Sequence, residues 1–237
     1  MKPYYQDEWV TIYHGDCREI LPQLEKVDLV LTDPPYEELW ADLFPLFQGL
    51  ADIVMVFGYP EDLVTACIAI RETPNEWVTW APFNKQMSQG FILPKVTECI
   101  AIWGRVLGAK EVKRIRTNDR VCRAISERRG CSVDYAQEGD IWFDASPGMA
   151  FNSHLRLHRN EKPTSIITKL IILAGKQAQI ILDPFLGSGT TLVCAKKLGR
   201  KAIGIEIEEK YCRIAVERLR QSVMKLEVKG NVDTRRR

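Results

Sequence analysis

Short runs rich in leucine and β-branched residues recur along this chain, separated by stretches with apolar residues at helical spacing. Val10 to Tyr13, Val27 to Leu31, Asp52 to Phe57, Gln179 to Leu182 and Lys201 to Glu206 read as strands. Between and after them, Cys17 to Leu24, Glu37 to Phe47, Pro60 to Ile70, the stretch after Pro163, the stretch after Thr191 and Glu208 to Met224 read as helices. Strands that are apolar on both faces need cover on both faces, so the alternation predicts an α/β protein with a mostly parallel sheet. Two further β-rich stretches, Trp77 to Trp80 and Glu98 to Trp103, flank a polar loop at Asn84 to Gly90.

The strand Val27 to Leu31 runs into Thr32-Asp33-Pro34-Pro35-Tyr36. Neither proline has an N–H to give to a sheet ladder, so the strand must stop there. What remains is a stiff loop bearing a carboxylate (Asp33), carbonyl acceptors and an aromatic ring (Tyr36). Such a loop can accept hydrogen bonds from an exocyclic amino group and stack a planar ring, which are the two requirements for holding a nucleobase by its NH2. Taken alone, the same tetrapeptide could equally be a proline turn beside an exposed aspartate.

A second constellation lies near the C-terminus. The strand ending at Leu182 leads into Asp183-Pro184-Phe185-Leu186-Gly187-Ser188-Gly189-Thr190-Thr191, then a helix, then a strand ending at Glu206. Glycines in such a turn let backbone approach a ligand, and the helix N-terminus offers free N–H groups. Glu206, 19 residues after Gly187, can take both hydroxyls of a ribose. A dinucleotide site would want a third glycine where Leu192 stands, so the pattern favours an adenosine cofactor without pyrophosphate. Asp183 could then meet a cation such as an amino-acid ammonium group.

Together these two motifs resemble the S-adenosylmethionine-dependent DNA amino-methyltransferases, with the catalytic motif ahead of the cofactor motif as in their circularly permuted β class. Gly15-Asp16 and Glu161-Lys162-Pro163 extend the resemblance, which covers most of the chain outside about 104–140. His158-Arg159-Asn160 departs from the His-Pro-Thr common before Glu/Gln-Lys-Pro in the family. The resemblance implies a Rossmann-like, seven-stranded, mostly parallel sheet whose first two strands come from the C-terminal half. It implies S-adenosylmethionine as methyl donor, held by Asp183, Phe185, Gly187, Ser188, Gly189, Thr190, Thr191 and Glu206. Asp16 would lie near the cofactor's adenine, and Lys162, Pro163 and Thr164 near its methionine end. The catalytic residues would be Asp33, Pro34, Pro35 and Tyr36. Tyr36 would stack on an extruded base, while Asp33 and the Pro34 carbonyl accept its amino hydrogens. Aspartate at the first motif position leans towards adenine N6; cytosine N4, and less readily RNA, remain open. Restriction–modification is the expected setting.

The α/β pattern lapses after Trp103. Between Arg105 and Arg129 stand nine basic residues, among them Arg105, Lys113, Arg114, Arg116, Arg120 and Arg123, against Glu111, Asp119 and Glu127. Phosphate neutralisation is the obvious use for such a block. The expected organisation is a catalytic half at 1–103, an inserted basic recognition segment for double-stranded DNA at 104–140, and a cofactor half at 141–237. With a net charge of only +2, any polyanion must be met by a local patch of this kind. No apolar run approaches the ~20 residues of a membrane span, and the N-terminus lacks the apolar core of a signal peptide. Seven cysteines without a Cys-x-x-Cys pair predict reduced thiols in a cytoplasmic protein of a bacterial or phage-infected cell. None sits in a Pro-Cys motif suited to attack on a cytosine ring, and His154 with His158 is too little for a metal site. A homodimer is compatible with the sequence but not specified by it.

Overall fold

The apolar strand runs pair into a single sheet. The structure, a computed structural model, describes residues 1–35, 40–82, 98–106, 141–144 and 162–224. Among them are nine strands: β1 (Tyr5–Gln6), β2 (Val10–His14), β3 (Val27–Thr32), β4 (Ala51–Gly58), β5 (Glu76–Pro82), β6 (Glu98–Trp103), β7 (Ile141–Asp144), β8 (Ile180–Asp183) and β9 (Lys201–Glu206). Their spatial order is β1-β2-β9-β8-β3-β4-β6-β5-β7. From β2 to β5 this is the expected seven-stranded sheet, and the short β1 and β7 add one strand beyond each edge. The centre is parallel throughout, whereas β6 runs antiparallel to both β4 and β5.

Two strands from the C-terminal half, β8 and β9, are inserted between β2 and β3 of the N-terminal half. From β8 the chain crosses over to β9 on one side, and from β3 to β4 on the other. The carboxyl ends of β8 and β3 therefore flank a topological switch point, where connecting loops diverge and leave a crevice.

Helices cover both faces, as strands buried on both sides require. Leu29 and Leu31 of β3 belong to the core beneath α4 (Thr164–Leu173), α5 (Thr190–Lys197) and α6 (Glu209–Met224), with Ile166, Ile167, Leu170, Leu192, Ala215 and Leu219. Val30, between those leucines, belongs to the opposite core with Ile20 of α1 (Cys17–Ile20), Phe44 and Phe47 of α2 (Phe44–Leu50) and Leu63 of α3 (Pro60–Ile70). No helix of the described residues is long and apolar enough to cross a membrane.

Helix boundaries differ from the sequence reading where prolines stand: the helix expected over Cys17 to Leu24 is α1 to Ile20, then a 3-10 turn at Leu21–Gln23 that contains Pro22. The helix expected over Glu37 to Phe47 is a 3-10 turn at Trp40–Leu43, then α2 from Phe44, its first residues lying outside the described ones. Pro45 explains the break: lacking an N–H, it fits only the first turn of a helix, so a new helix begins beside it. The helix after Pro163 is α4, and Pro163 itself is its N-cap, with ψ 136°. An N-cap contributes its carbonyl, which here accepts the N–H of Ile167 at 3.2 Å, so the missing N–H costs nothing.

The entry to β8 depends on one side chain. Oδ2 of Asp28, on neighbouring β3, accepts the backbone N–H groups of both Gln179 and Ile180 at 2.8 Å. Asp28→Ala strands both donors and should cost about 1–2 kcal/mol in urea unfolding. An unchanged unfolding midpoint would remove this contact from the account.

Candidate active site

The carboxyl ends of β3, β8 and β9 open on one cleft of about 450 Å³. From β3 it is lined by Thr32, Asp33, Pro34 and Pro35; from β8 and its loop by Asp183, Phe185, Gly187 and Ser188. Thr190 and Thr191 of α5, Glu206 of β9, Asp16 and Lys162, all expected from the sequence, also line its walls. The two motifs read separately in the sequence thus share one space.

They are fastened together beneath it. Thr32 Oγ1 donates to Oδ1 of Asp183 at 3.0 Å, in a buried contact. The same oxygen accepts the N–H of Phe185 at 3.2 Å, and Thr191 also hydrogen-bonds the carboxylate. Asp183 is 4% exposed, and burial pushes its carboxyl up to about 6, against the lowering effect of those three donors and helped by the nearby charge of Asp33. Asp183, expected from sequence to face a ligand cation, already serves protein donors from three segments.

The glycine loop is shaped by left-handed backbone at Gly187 (φ 53°) and Gly189 (φ 84°). At Gly189 a Cβ would come within 2.7 Å of Cβ of Ala215, so the turn can lie flat on α6 only without a side chain. From α6, one guanidinium nitrogen of Arg218 donates to the Ser188 carbonyl (2.9 Å), the Ser188 hydroxyl (2.8 Å) and the Thr190 hydroxyl (3.2 Å). Glu206 closes the loop from the other side. Its Oε2 accepts the N–H of Gly187 at 2.7 Å, and its Oε1 that of Glu208 at 2.8 Å. Both carboxylate oxygens are thereby fixed, each with a lone pair to spare.

Asp16 caps α1, accepting the Arg18 N–H at 2.8 Å, and presents its carboxylate at the cleft. Lys162, 7% exposed, places its Nζ 2.7 Å from Oδ2 of Asp33. Three expected residues stand back from the cleft: Gly189 lies against α6, Pro163 caps α4, and Thr164 is exposed with its carbonyl facing Cys194. Arg105 is exposed just beyond β6. Tyr36, Lys113, Arg114, Arg116, Arg120, Arg123, His154 and His158 lie outside the described residues. The described cysteines are all free thiols; burial, aided by Glu206, pushes that of Cys212 up to about 12, as befits a core residue.

Sequence reasoning missed Thr32, Phe57 and Ile207 at the cleft, and Arg218 behind it. Thr32 carried a signal, a polar residue ending an apolar strand one position before the aspartate. Ile207 did too, as an apolar residue following the acid of β9 and 64% exposed. Phe57 reads as core, and Arg218 as one more cation on an amphipathic helix.

The state of Asp183 has a consequence for stability. The unfolded carboxyl titrates near 3.8 and the folded one near 6, so folding takes up a proton between those values. That stabilisation is fully present below pH ~4 and is lost as pH rises through ~6. Asp183→Asn cannot titrate. The stability of the wild type minus that of Asp183→Asn should therefore fall from pH 4 to pH 7; a flat difference would contradict the buried, perturbed carboxyl.

Comparison with known proteins points the same way. The family described as DNA methylase, of the N6/N4 type, matches residues 108–217. The type II methyltransferase M.HpaI of Haemophilus parainfluenzae is 33% identical over 225 residues, covering 81% of this chain and 68% of that protein. Among solved structures, the complex of M1.HpyAVI with SAM superposes with a TM-score of 0.63 at 22% identity, covering 89% of this chain and 98% of the other. PvuII DNA methyltransferase (cytosine-N4-specific) gives 0.66 at 15% identity over 98% and 91%. These two establish likeness of fold. With the fold, both motifs and the M.HpaI match in agreement, this chain belongs to the S-adenosylmethionine-dependent DNA amino-methyltransferases.

Proposed function

We propose that this protein transfers the methyl group of S-adenosylmethionine to the exocyclic N6 of adenine in duplex DNA, after flipping the target nucleotide out of the stack. The observation that carries this reading is the sharing of one cleft by Asp33-Pro34-Pro35 and the Gly187–Thr191 loop, with Thr32 bonded to Asp183 between them.

The residues present fit an adenosine-containing donor. Glu206 has both oxygens anchored on backbone N–H groups, and each keeps an acceptor for one hydroxyl of a ribose diol. Exposed Ile207 offers apolar surface beside it for a flat ring. Gly187 and Ser188 bring backbone to the ligand, while Asp16 faces the cleft near the same end. Bound there, the donor supplies an electrophilic methyl group on a sulfonium.

The chain's part in the chemistry is to hold and orient the acceptor. Asp33 and the carbonyl of Pro34 accept the two amino hydrogens. This draws the nitrogen lone pair out of conjugation with the ring and aims it at the cleft. The prolines keep that carbonyl from being consumed by a sheet ladder. Placing two bound reactants in line supplies much of the rate. Tyr36 is assigned to stacking on the base, and the basic segment 104–140 to the DNA backbone, between a catalytic half at 1–103 and a cofactor half at 141–237.

The aspartate at position 33 supports adenine. Cytosine N4 is the second reading, because a protein of the same fold carries that specificity in its name and both bases present an NH2 beside a ring nitrogen. Incubation with methyl-labelled S-adenosylmethionine and unmethylated duplex, followed by mass analysis of nucleosides, separates them. N6-methyldeoxyadenosine is the expected product, N4-methyldeoxycytidine would correct the base, and no labelled nucleoside would overturn the DNA reading. In the same assay Asp33→Ala should lose at least about 100-fold in turnover, while calorimetry still detects cofactor binding.

A further inference from the structure

The resemblance places Lys162 near the methionine end of the cofactor, yet its ammonium sits on the catalytic loop. Nζ stands 2.7 Å from Oδ2 of Asp33, with the two side chains 7% and 21% exposed. The same nitrogen lies 5.4 Å from the centre of the Phe57 ring, within reach of a cation–π attraction. Phe57 is 1% exposed on β4, next to β3. The ammonium is thus seated between the aspartate and a fixed aromatic wall.

Such a pair is a poor source of stability, because desolvating both charges consumes most of their attraction. Fixing a lysine also gives up more rotamer freedom than fixing most side chains. What the arrangement delivers is a carboxylate held still. Lys162 is carried by rigid neighbours: Pro163 has a locked φ and caps α4, whose Ile166, Ile167, Leu170 and Ile171 are buried in the core. On its other side Asp33 follows Thr32, which is itself tied to Asp183.

Charge excludes a direct electrostatic role in the transfer. Positive charge grows on an amine nitrogen as it attacks a sulfonium methyl, and a neighbouring ammonium opposes that growth. The benefit of Lys162 must be geometric. A carboxylate has about four acceptor positions, more than one ammonium can occupy.

We propose that Lys162 is a positioning residue for Asp33, holding the carboxylate in one orientation through the buried ion pair; this rests on the catalytic role assigned to Asp33 above. The test uses the full chain, with kcat measured at saturating S-adenosylmethionine and DNA and the cofactor Kd measured by calorimetry. Lys162→Met should lower kcat about 100-fold, the scale of a 1 Å misplacement, while the cofactor Kd changes less than about threefold. A cofactor Kd raised about tenfold or more with kcat nearly intact would return Lys162 to the cofactor and overturn the proposal. Loss of both would overturn it too, by marking a general structural role. Asp33→Ala measured alongside keeps the two claims apart: full activity there would sink the catalytic reading of Asp33 itself, whatever Lys162→Met does.

Discussion

A buried hydrogen bond of 3.0 Å, from the Thr32 hydroxyl to the Asp183 carboxylate, joins residues 151 positions apart in the chain. It sits where the carboxyl ends of two adjacent parallel strands meet and their loops part company. One loop carries Asp33 and the prolines, the other the glycines. A methyl acceptor and a methyl donor must be held within bonding distance of each other, and the sheet alone fixes only the strands. The contact between Thr32 and Asp183 carries that register out to the first residues of both loops. Asp183 extends it through the Phe185 N–H and Thr191, so one carboxylate governs the start of the loop and the first turn of α5.

The same region holds a concentration of buried polar groups: Asp183, Glu206, Lys162, Thr190 and Ser188 are each under 10% exposed. Burying such groups is costly unless each finds partners. Glu206 takes two backbone N–H groups, Ser188 and Thr190 share Arg218, and Lys162 takes Asp33. An apolar core of the same volume would be the cheaper way to stabilise this end of the sheet. What the polar network leaves at the cleft is a fixed carboxylate, a flat glycine turn and a held aspartate.

Much of this was legible in the sequence, for identifiable reasons. Strands apolar on both faces, such as Val27 to Leu31, announce a covered parallel sheet, and the central strands followed. Asp33-Pro34-Pro35 and Gly187-Ser188-Gly189 stood out because prolines end a strand and glycines permit the left-handed backbone found at Gly187 and Gly189, and both constraints leave a mark in residue type. The antiparallel β6 was not, since periodicity does not encode strand direction. The start of α2 was misread because Leu39, Trp40 and Leu43 continue a helical spacing across a chain that Pro45 forces to begin anew. Arg218 and the partner of Lys162 were illegible for a different reason. A surface-looking cation gives no hint of which acceptor the fold will bring to it from 28 or 30 residues away, or from across the chain.

The central claim is that Thr32 and Asp183 act as one unit in bringing donor and acceptor together. A double-mutant cycle on kcat/KM for methyl transfer, with Thr32→Val, Asp183→Asn and the pair, tests it most directly. Residues joined in this way should show a coupling of about 1 kcal/mol or more, the double variant losing much less than the sum of the two single losses. Losses that add to within about 0.3 kcal/mol would mean that the two loops are positioned independently, and would contradict the account.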